Sequence, residues 1–221
     1  MINGILIVNK PIGLTSHDVV KEIRRKFKMR QVGHAGTLDP LATGILIMLL
    51  GKTTKLFNKF VGLDKAYRAT LVLGTTTDSA DIQGKVMKTL PYEHVTRVRV
   101  EEVFKKFTGE MDQIPPMVSA IKRQGKKLYQ LARKGIEVKR EARKINVHCL
   151  RLEGFHPPHV EFYLECSKGT YVRQLAEDIG KDLGCGACIA QIERTQVGSF
   201  TMDEAVNIED IDESHIRHWE G

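Results

Sequence analysis

The chain has 221 residues, 42% hydrophobic and 28% charged, enough for one well-buried core or two small ones. No apolar run approaches the roughly 18 residues of a membrane span, and the longest, residues 45–50, reads as a buried strand or helix segment. The N-terminus passes straight into a strand with no basic leader, so the expectation is a cytosolic protein without a secretory signal.

In chain order, residues 4–10 (GILIVNK) read as a buried strand stopped by Pro11 and Gly13. Thr15 caps a helix to about residue 28, with Asp18 at the capping-box position and Val19, Val20, Ile23 and Phe27 on one face. Residues 31–44 (QVGHAGTLDPLATG) show neither helical nor strand period and read as an elaborated loop. Residues 44–50 are a buried segment, 53–63 a short helix, 67–73 a strand, and 75–84 a polar loop ended by glycine. A helix over 96–107 turns Val100, Val103, Phe104 and Phe107 inward, and a short helix is expected over 126–134. Residues 145–155 and 160–166 read as strands joined by a turn at Pro157-Pro158, and the second alternates Val160, Phe162, Leu164 and Cys166 with polar positions. A helix from Thr170 to Gly184, a strand near 187–194 and a short acidic helical tail complete the chain. Strands and helices mix without a strict βαβ rhythm, which predicts an α+β fold around a mixed, largely antiparallel sheet flanked by helices. No repeat and no Pro/Gly/Ser linker divides it, so residues 1–221 read as a single domain.

The net charge of +7 is unevenly placed. Residues 122–144 hold ten basic side chains against Glu137 and Glu141, while the remainder of the chain sums to −1. A solvated face explains a basic run in general; confinement to one segment of an otherwise neutral chain fits a surface that tracks phosphates. Cys185 and Cys188 have CxxC spacing, but neither Cys149 nor Cys166 completes a zinc set, and a reducing compartment argues against disulfides. Gly51-Lys52-Thr53-Thr54 imitates the end of a phosphate-binding loop, yet position 46 is Leu where that motif needs glycine.

Chemistry concentrates in two places. His34, Thr37 and Asp39 share a Gly-rich loop, although Asp39-Pro40 alone is more often a turn opener than a catalyst, and His34 with Asp39 lacks a third metal ligand. Tyr171 and Arg173 fall in the first turn of the helix that Thr170 opens. A cation there opposes the helix dipole and calls for a carboxylate; Asp39 is a natural partner, held ionised in a bidentate clamp, and a purely structural ion pair is the alternative.

Four stretches in order together resemble the bacterial tRNA pseudouridine-55 synthase family: Lys10-Pro11-Ile12-Gly13 with Thr15-Ser16; Gly33 to Gly44; Pro115 to Lys122 with Gly125 and Tyr129; and Cys166 to Arg173. The resemblance covers nearly the whole chain. It implies that Asp39 is the catalytic aspartate, that Tyr67 stacks on a flipped uracil, and that Tyr171 lies near sugar and base. It further implies that Arg173 salt-bridges the aspartate, that His34 lies near flipped-out nucleotides, and that Lys10 and Pro11 support the active-site loop. Residues 114–144 match a thumb that folds over RNA, which makes Lys122, Arg123, Lys126, Lys127, Arg133 and Arg143 candidate phosphate contacts. The chain departs from the pattern at Glu193-Arg194, where two arginines are usual and one RNA contact is therefore not expected, and at Val118 in place of Phe. About 20 residues follow Phe200, too few for the PUA RNA-binding domain of longer members, so a short form is expected.

The implied reaction isomerises uridine 55 of the tRNA T loop to pseudouridine without redox or hydrolysis, so no cofactor and no metal is expected. The carboxylate attacks either C6 of the uracil or C1′ of the ribose, after the nucleotide is flipped out of its stack. The partner is tRNA, with no membrane, no obligatory protein partner and a monomer as default. Two competing readings are a non-catalytic RNA-binding or RNA-folding protein, which needs no buried carboxylate facing RNA, and a guide-directed synthase acting inside an RNA–protein complex.

Overall fold

A computed structural model describes residues 2–119, 122–123, 125–128, 131, 135–136 and 138–219. It comprises two compact units, Met1–Arg68 with Gln191–Gly221, and Ala69–Ala190. The strands are β1 (Gly4–Lys10), β2 (Val32–Ala35), β3 (Thr43–Leu50), β4 (Lys65–Leu73), β5 (Thr75–Thr77), β6 (Val86–Thr89), β7 (Gly109–Gln113), β8 (Lys122–Arg123), β9 (Lys126–Lys127), β10 (Arg143–His156), β11 (His159–Cys166), β12 (Ala187–Val197), β13 (Phe200–Thr201) and β14 (Val206–Asn207). The helices are α1 (Ser16–Lys26), α2 (Phe57–Val61), α3 (Arg97–Lys106) and α4 (Val172–Asp182). The fold is α+β, with mixed and mostly antiparallel strand pairing.

In the first unit the strand order is β14-β1-β3-β12, with β2 also on β3 and β13 on β12. The β1–β3 pair keeps one register from Gly4 opposite Leu50 to Lys10 opposite Gly44. Both faces of this pair are apolar. Leu6, Val8, Leu46, Met48 and Leu50 pack with Val19, Val20 and Ile23 of α1, while Ile5, Ile7, Ile45, Ile47 and Leu49 pack with Phe60 and Phe200. Burial on both sides is why residues 45–50 are apolar without alternation. Helix α1 starts as expected: Thr15 and Asp18 form a reciprocal capping box, worth about 1 kcal/mol.

In the second unit the order is β4-β11-β10-β7. Helix α4 buries Val172, Leu175, Ala176 and Ile179, and Phe104 of α3 meets Phe162 of β11 edge-on at 5.8 Å between ring centres.

Several local expectations need correction. Residues 32–35 are a strand on β3, not loop. Residues 75–77 and 86–89 pair as a hairpin within the segment read as a polar loop and beyond it, and β7 had no counterpart in the sequence reading. Residues 53–63 open as a 3-10 turn, Gly51–Leu56, before α2. Lys126 and Lys127 are strand, paired with Lys122 and Arg123; Leu128 and Leu131 are helical, and the rest of the helix expected over 126–134 lies outside the described residues. The acidic tail is not a helix but β14 with two 3-10 turns, because Val206 and Ile208 alternate onto the core around Ile211. Among the described residues no helix is long and apolar enough to cross a membrane.

Candidate active site

Asp39 sits half-buried in the loop between β2 and β3, and the loop is fastened along its length. The Ser16 hydroxyl, buried at the start of α1, donates to Leu38 O at 3.0 Å and accepts from Leu38 N at 2.8 Å. Gly13 N donates to Pro40 O at 2.8 Å, and Ala42 N closes a turn on Asp39 O at 3.0 Å. Leu38 and Leu41 point inward. A loop with this many internal anchors presents its carboxylate in one place.

Two buried cations act on Asp39. Lys10, at the end of β1, has no exposed surface, and its Nζ donates to Pro11 O and Leu14 O, both at 2.8 Å. Burial pulls its pKa down to about 8; the Asp39 charge resists that and Arg194 reinforces it. Arg194, on β12, is only 2% exposed. Its Nε donates to Ile45 O at 2.7 Å, one terminal nitrogen to Gly36 O at 3.1 Å and the other to Thr37 O at 3.5 Å. Burial pushes Arg194 below the ordinary guanidinium range, while the Tyr67 hydroxyl, which accepts a hydrogen bond from it, and the Asp39 charge oppose that shift. Tyr67, on β4, is 7% exposed. His34 lies half-buried on β2 opposite Met48, and Pro11 is exposed.

The second unit holds the other pair of expected residues. Tyr171 is the N-cap of α4, and the buried Gln113 clamps its backbone, donating to Tyr171 O at 3.1 Å and accepting from Tyr171 N at 2.8 Å. Arg173 is 5% exposed and pairs with Asp81 at 3.4 Å. It also donates to Ser79 O at 2.6 Å and Val118 O at 2.9 Å. The Asp81 carboxylate is fixed in turn by the Ser79 hydroxyl at 2.8 Å and by Gln83 N at 3.1 Å. The carboxylate that an arginine in this first turn called for is thus found within its own unit.

The structure therefore groups Lys10, Asp39 and Tyr67 around Arg194 in one unit, and Tyr171, Arg173, Gln113 and Asp81 in the other. Arg194, Ser16, Gln113 and Asp81 were not singled out by their chemistry. Arg194 stands among Glu193, Thr195 and Gln196 on β12, so nothing in the sequence pattern signalled its burial. Of the residues expected in a thumb, Lys122, Arg123, Lys126 and Lys127 form a two-stranded ribbon around Gly125, whose φ of +79° suits the turn. Arg143 is exposed on β10 opposite Gln113, and Arg133 lies outside the described residues.

Other candidates resolve simply. Gly51 to Thr54 is a 3-10 turn whose Thr53 hydroxyl bonds Gly4 O and Leu50 O, both at 2.7 Å. Cys185 and Cys188 are free and buried; burial raises both thiols, Cys188 to about 11. Among the described residues no group of three or more His, Cys, Asp or Glu is placed to hold a metal. A cleft of about 830 Å³ in the second unit is lined by Ser79, Gln174, Glu177, Asp178 and Lys181 among others, and burial raises the carboxyls of Glu177 and Asp178.

The α+β fold thus presents a loop carboxylate beside two buried cations. Residues 24–172 match the TruB family pseudouridylate synthase N-terminal domain, and residues 173–220 match the tRNA pseudouridylate synthase B C-terminal domain. The chain belongs to the TruB family of pseudouridylate synthases. The tRNA pseudouridine synthase B of Syntrophotalea carbinolica is 49% identical across 95% of this chain and 69% of its own length. That of Clostridium tetani is 46% identical across 98% and 75%. Among solved structures, a Cbf5-Nop10-Gar1 complex superposes with a TM-score of 0.73 at 28% identity, covering 94% of this chain and 53% of the other.

Proposed function

We propose that the protein isomerises uridine 55 in the T loop of tRNA to pseudouridine, with Asp39 as nucleophile. The observation that carries the reading is the pair of buried cations, Lys10 and Arg194, acting on one loop aspartate in a chain of this family. A carboxylate is the form of aspartate able to attack. The covalent adduct forms at C6 of the uracil or at C1′ of the ribose. The bond from C1′ to N1 breaks, the base turns, C1′ joins C5 and the bond to Asp39 breaks to return the carboxylate; the C5 hydrogen leaves to solvent and N1 regains a proton, so atoms and electrons balance with no external oxidant.

Tyr67 supplies the stacking face for the everted uracil, which offsets about 1–3 kcal/mol of the cost of flipping. Tyr171, its backbone fixed by Gln113, is the group that relays a proton near sugar and base, and Arg173, paired with Asp81, holds the first turn of α4. His34 faces the flipped nucleotides, and Lys10 with Pro11 supports the loop. Residues 114–144 cover the RNA, with Lys122, Arg123, Lys126, Lys127, Arg133 and Arg143 on phosphates. The β8–β9 ribbon sets Lys122 opposite Lys127 and Arg123 opposite Lys126 in backbone register, gathering four basic residues on one hairpin. On this reading residues 1–221 work as one catalytic domain, as a cytoplasmic monomer, on tRNA alone. Identity to the tRNA enzymes is 46–49%, which favours tRNA as the substrate.

The test is tritium release from tRNA transcripts carrying 5-tritiated uridine. Wild type should release tritium and Asp39→Asn should not, with tRNA binding retained. Equal release from both removes Asp39 from its role.

A further inference from the structure

We propose that Arg194 is a positioning residue of this reaction: its guanidinium clips the two ends of the Asp39 loop together and holds the Tyr67 hydroxyl, without touching RNA. The inference rests on the assignment of Asp39 as nucleophile. The register of the first unit sets it up. Lys10 of β1 stands opposite Gly44 of β3, and Arg194 of β12 stands beside the same Gly44 on its other side. Three neighbouring strands thus put a buried cation on each flank of the residue where the loop ends.

Arg194 then reaches back over the loop. Ile45 O lies just past its end, and Gly36 O and Thr37 O lie at its start; Nε takes the first, and the two terminal nitrogens take the others. Asp39 lies between these anchor points, and the Ser16 hydroxyl fastens the next residue inward, Leu38. Three carbonyls in different directions suit a planar fork of five N–H donors, and the three donors of a lysine ammonium radiate from one point and cannot reproduce it. The same fork donates to Tyr67 and feels the charge of Asp39.

Gly44 makes the approach possible. Its φ is +92°, and a Cβ there would fall 2.3 Å from Arg194 O. At 2% exposure the guanidinium offers nothing to a phosphate. Its role is therefore geometric, and it belongs to the chemical step rather than to RNA binding.

The experiment compares wild type, Arg194→Lys and Arg194→Met by single-turnover tritium release at saturating tRNA, by tRNA Kd from filter binding, and by thermal unfolding. The expected result is a rate constant lowered at least 30-fold in Arg194→Lys and further in Arg194→Met, with Kd within twofold of wild type. Wild-type rates in the folded lysine variant overturn the proposal, as does a Kd that rises in step with the fall in rate, since that marks an RNA contact. A loss of rate that only follows the unfolded fraction overturns it too. Should Arg194→Met not fold, Arg194→Lys decides alone. Wild type that releases no tritium defeats the assignment of the reaction itself, a result distinct from each of these.

Discussion

Lys10 is a lysine that this fold makes expensive to protonate. It has no exposed surface, its ammonium has two carbonyl partners, and its pKa falls from 10.5 to about 8. Because the folded pKa is the lower one, the unfolded chain binds more protons between pH 8 and pH 10.5. Stability from this residue therefore rises with pH across that window and is lowest below it, by roughly 3 kcal/mol over the full span. Lys10→Met has no such dependence. In urea unfolding, the stability of wild type relative to Lys10→Met should improve from pH 7 to pH 10 by a large part of that amount. A difference that stays flat with pH would show that the charged form is not penalised. Below pH 8 the cation beside Asp39 is present, so the charge that faces this carboxylate is the one that costs stability.

At the scale of elements, the β2–β3 loop depends on close backbone approach as well as on hydrogen bonds. Gly13 and Gly44 have nearly the same φ, +89° and +92°, but different surroundings. A Cβ at Gly13 meets nothing within 4 Å, whereas one at Gly44 falls 2.3 Å from Arg194 O and 2.9 Å from Arg194 N. Gly13→Ala should therefore cost only backbone strain, about 1 kcal/mol, and Gly44→Ala that strain plus a displaced strand, in total more than about 3 kcal/mol. Urea midpoints would show it, and equal losses would refute the close approach. The sequence disclosed the elements with strong patterns: the capping box of Thr15 and Asp18, the apolar run 45–50, and the alternation of Val160 to Cys166. It hid β2, because Val32-Gly33-His34-Ala35 lies among glycines and has no period of its own. It hid β5, β6 and β7 because they are short or solvated, and Val86–Thr89 is exposed throughout. Family motifs singled out Asp39, Tyr67, Tyr171 and Arg173 as candidates. Arg194, Asp81 and Gln113 were not singled out, since their importance lies in partners 58 or more positions away along the chain.

At the scale of the molecule, charge separates affinity from chemistry. Residues 122–144 carry a net +8, and the rest of the chain sums to −1, whereas the cations beside Asp39 are buried and beyond the reach of phosphate. Contacts to phosphates release counterions, so tRNA affinity should fall steeply with salt, the logarithm of the binding constant losing about 0.7–0.9 per decade of salt for each phosphate neutralised. Replacing Lys126 and Lys127 by Gln removes two charges from the β9 strand of the ribbon. The expected outcome is a salt slope shallower by roughly 1–2 and a weaker Kd at low salt, with the single-turnover rate constant at saturating tRNA unchanged. Phosphate contacts orient the RNA as a whole, so their loss should be recovered by concentration alone. A double variant with the wild-type slope would place the RNA elsewhere than on this ribbon. A rate constant that falls even at saturation would mean that the ribbon also takes part in delivering the uridine to Asp39.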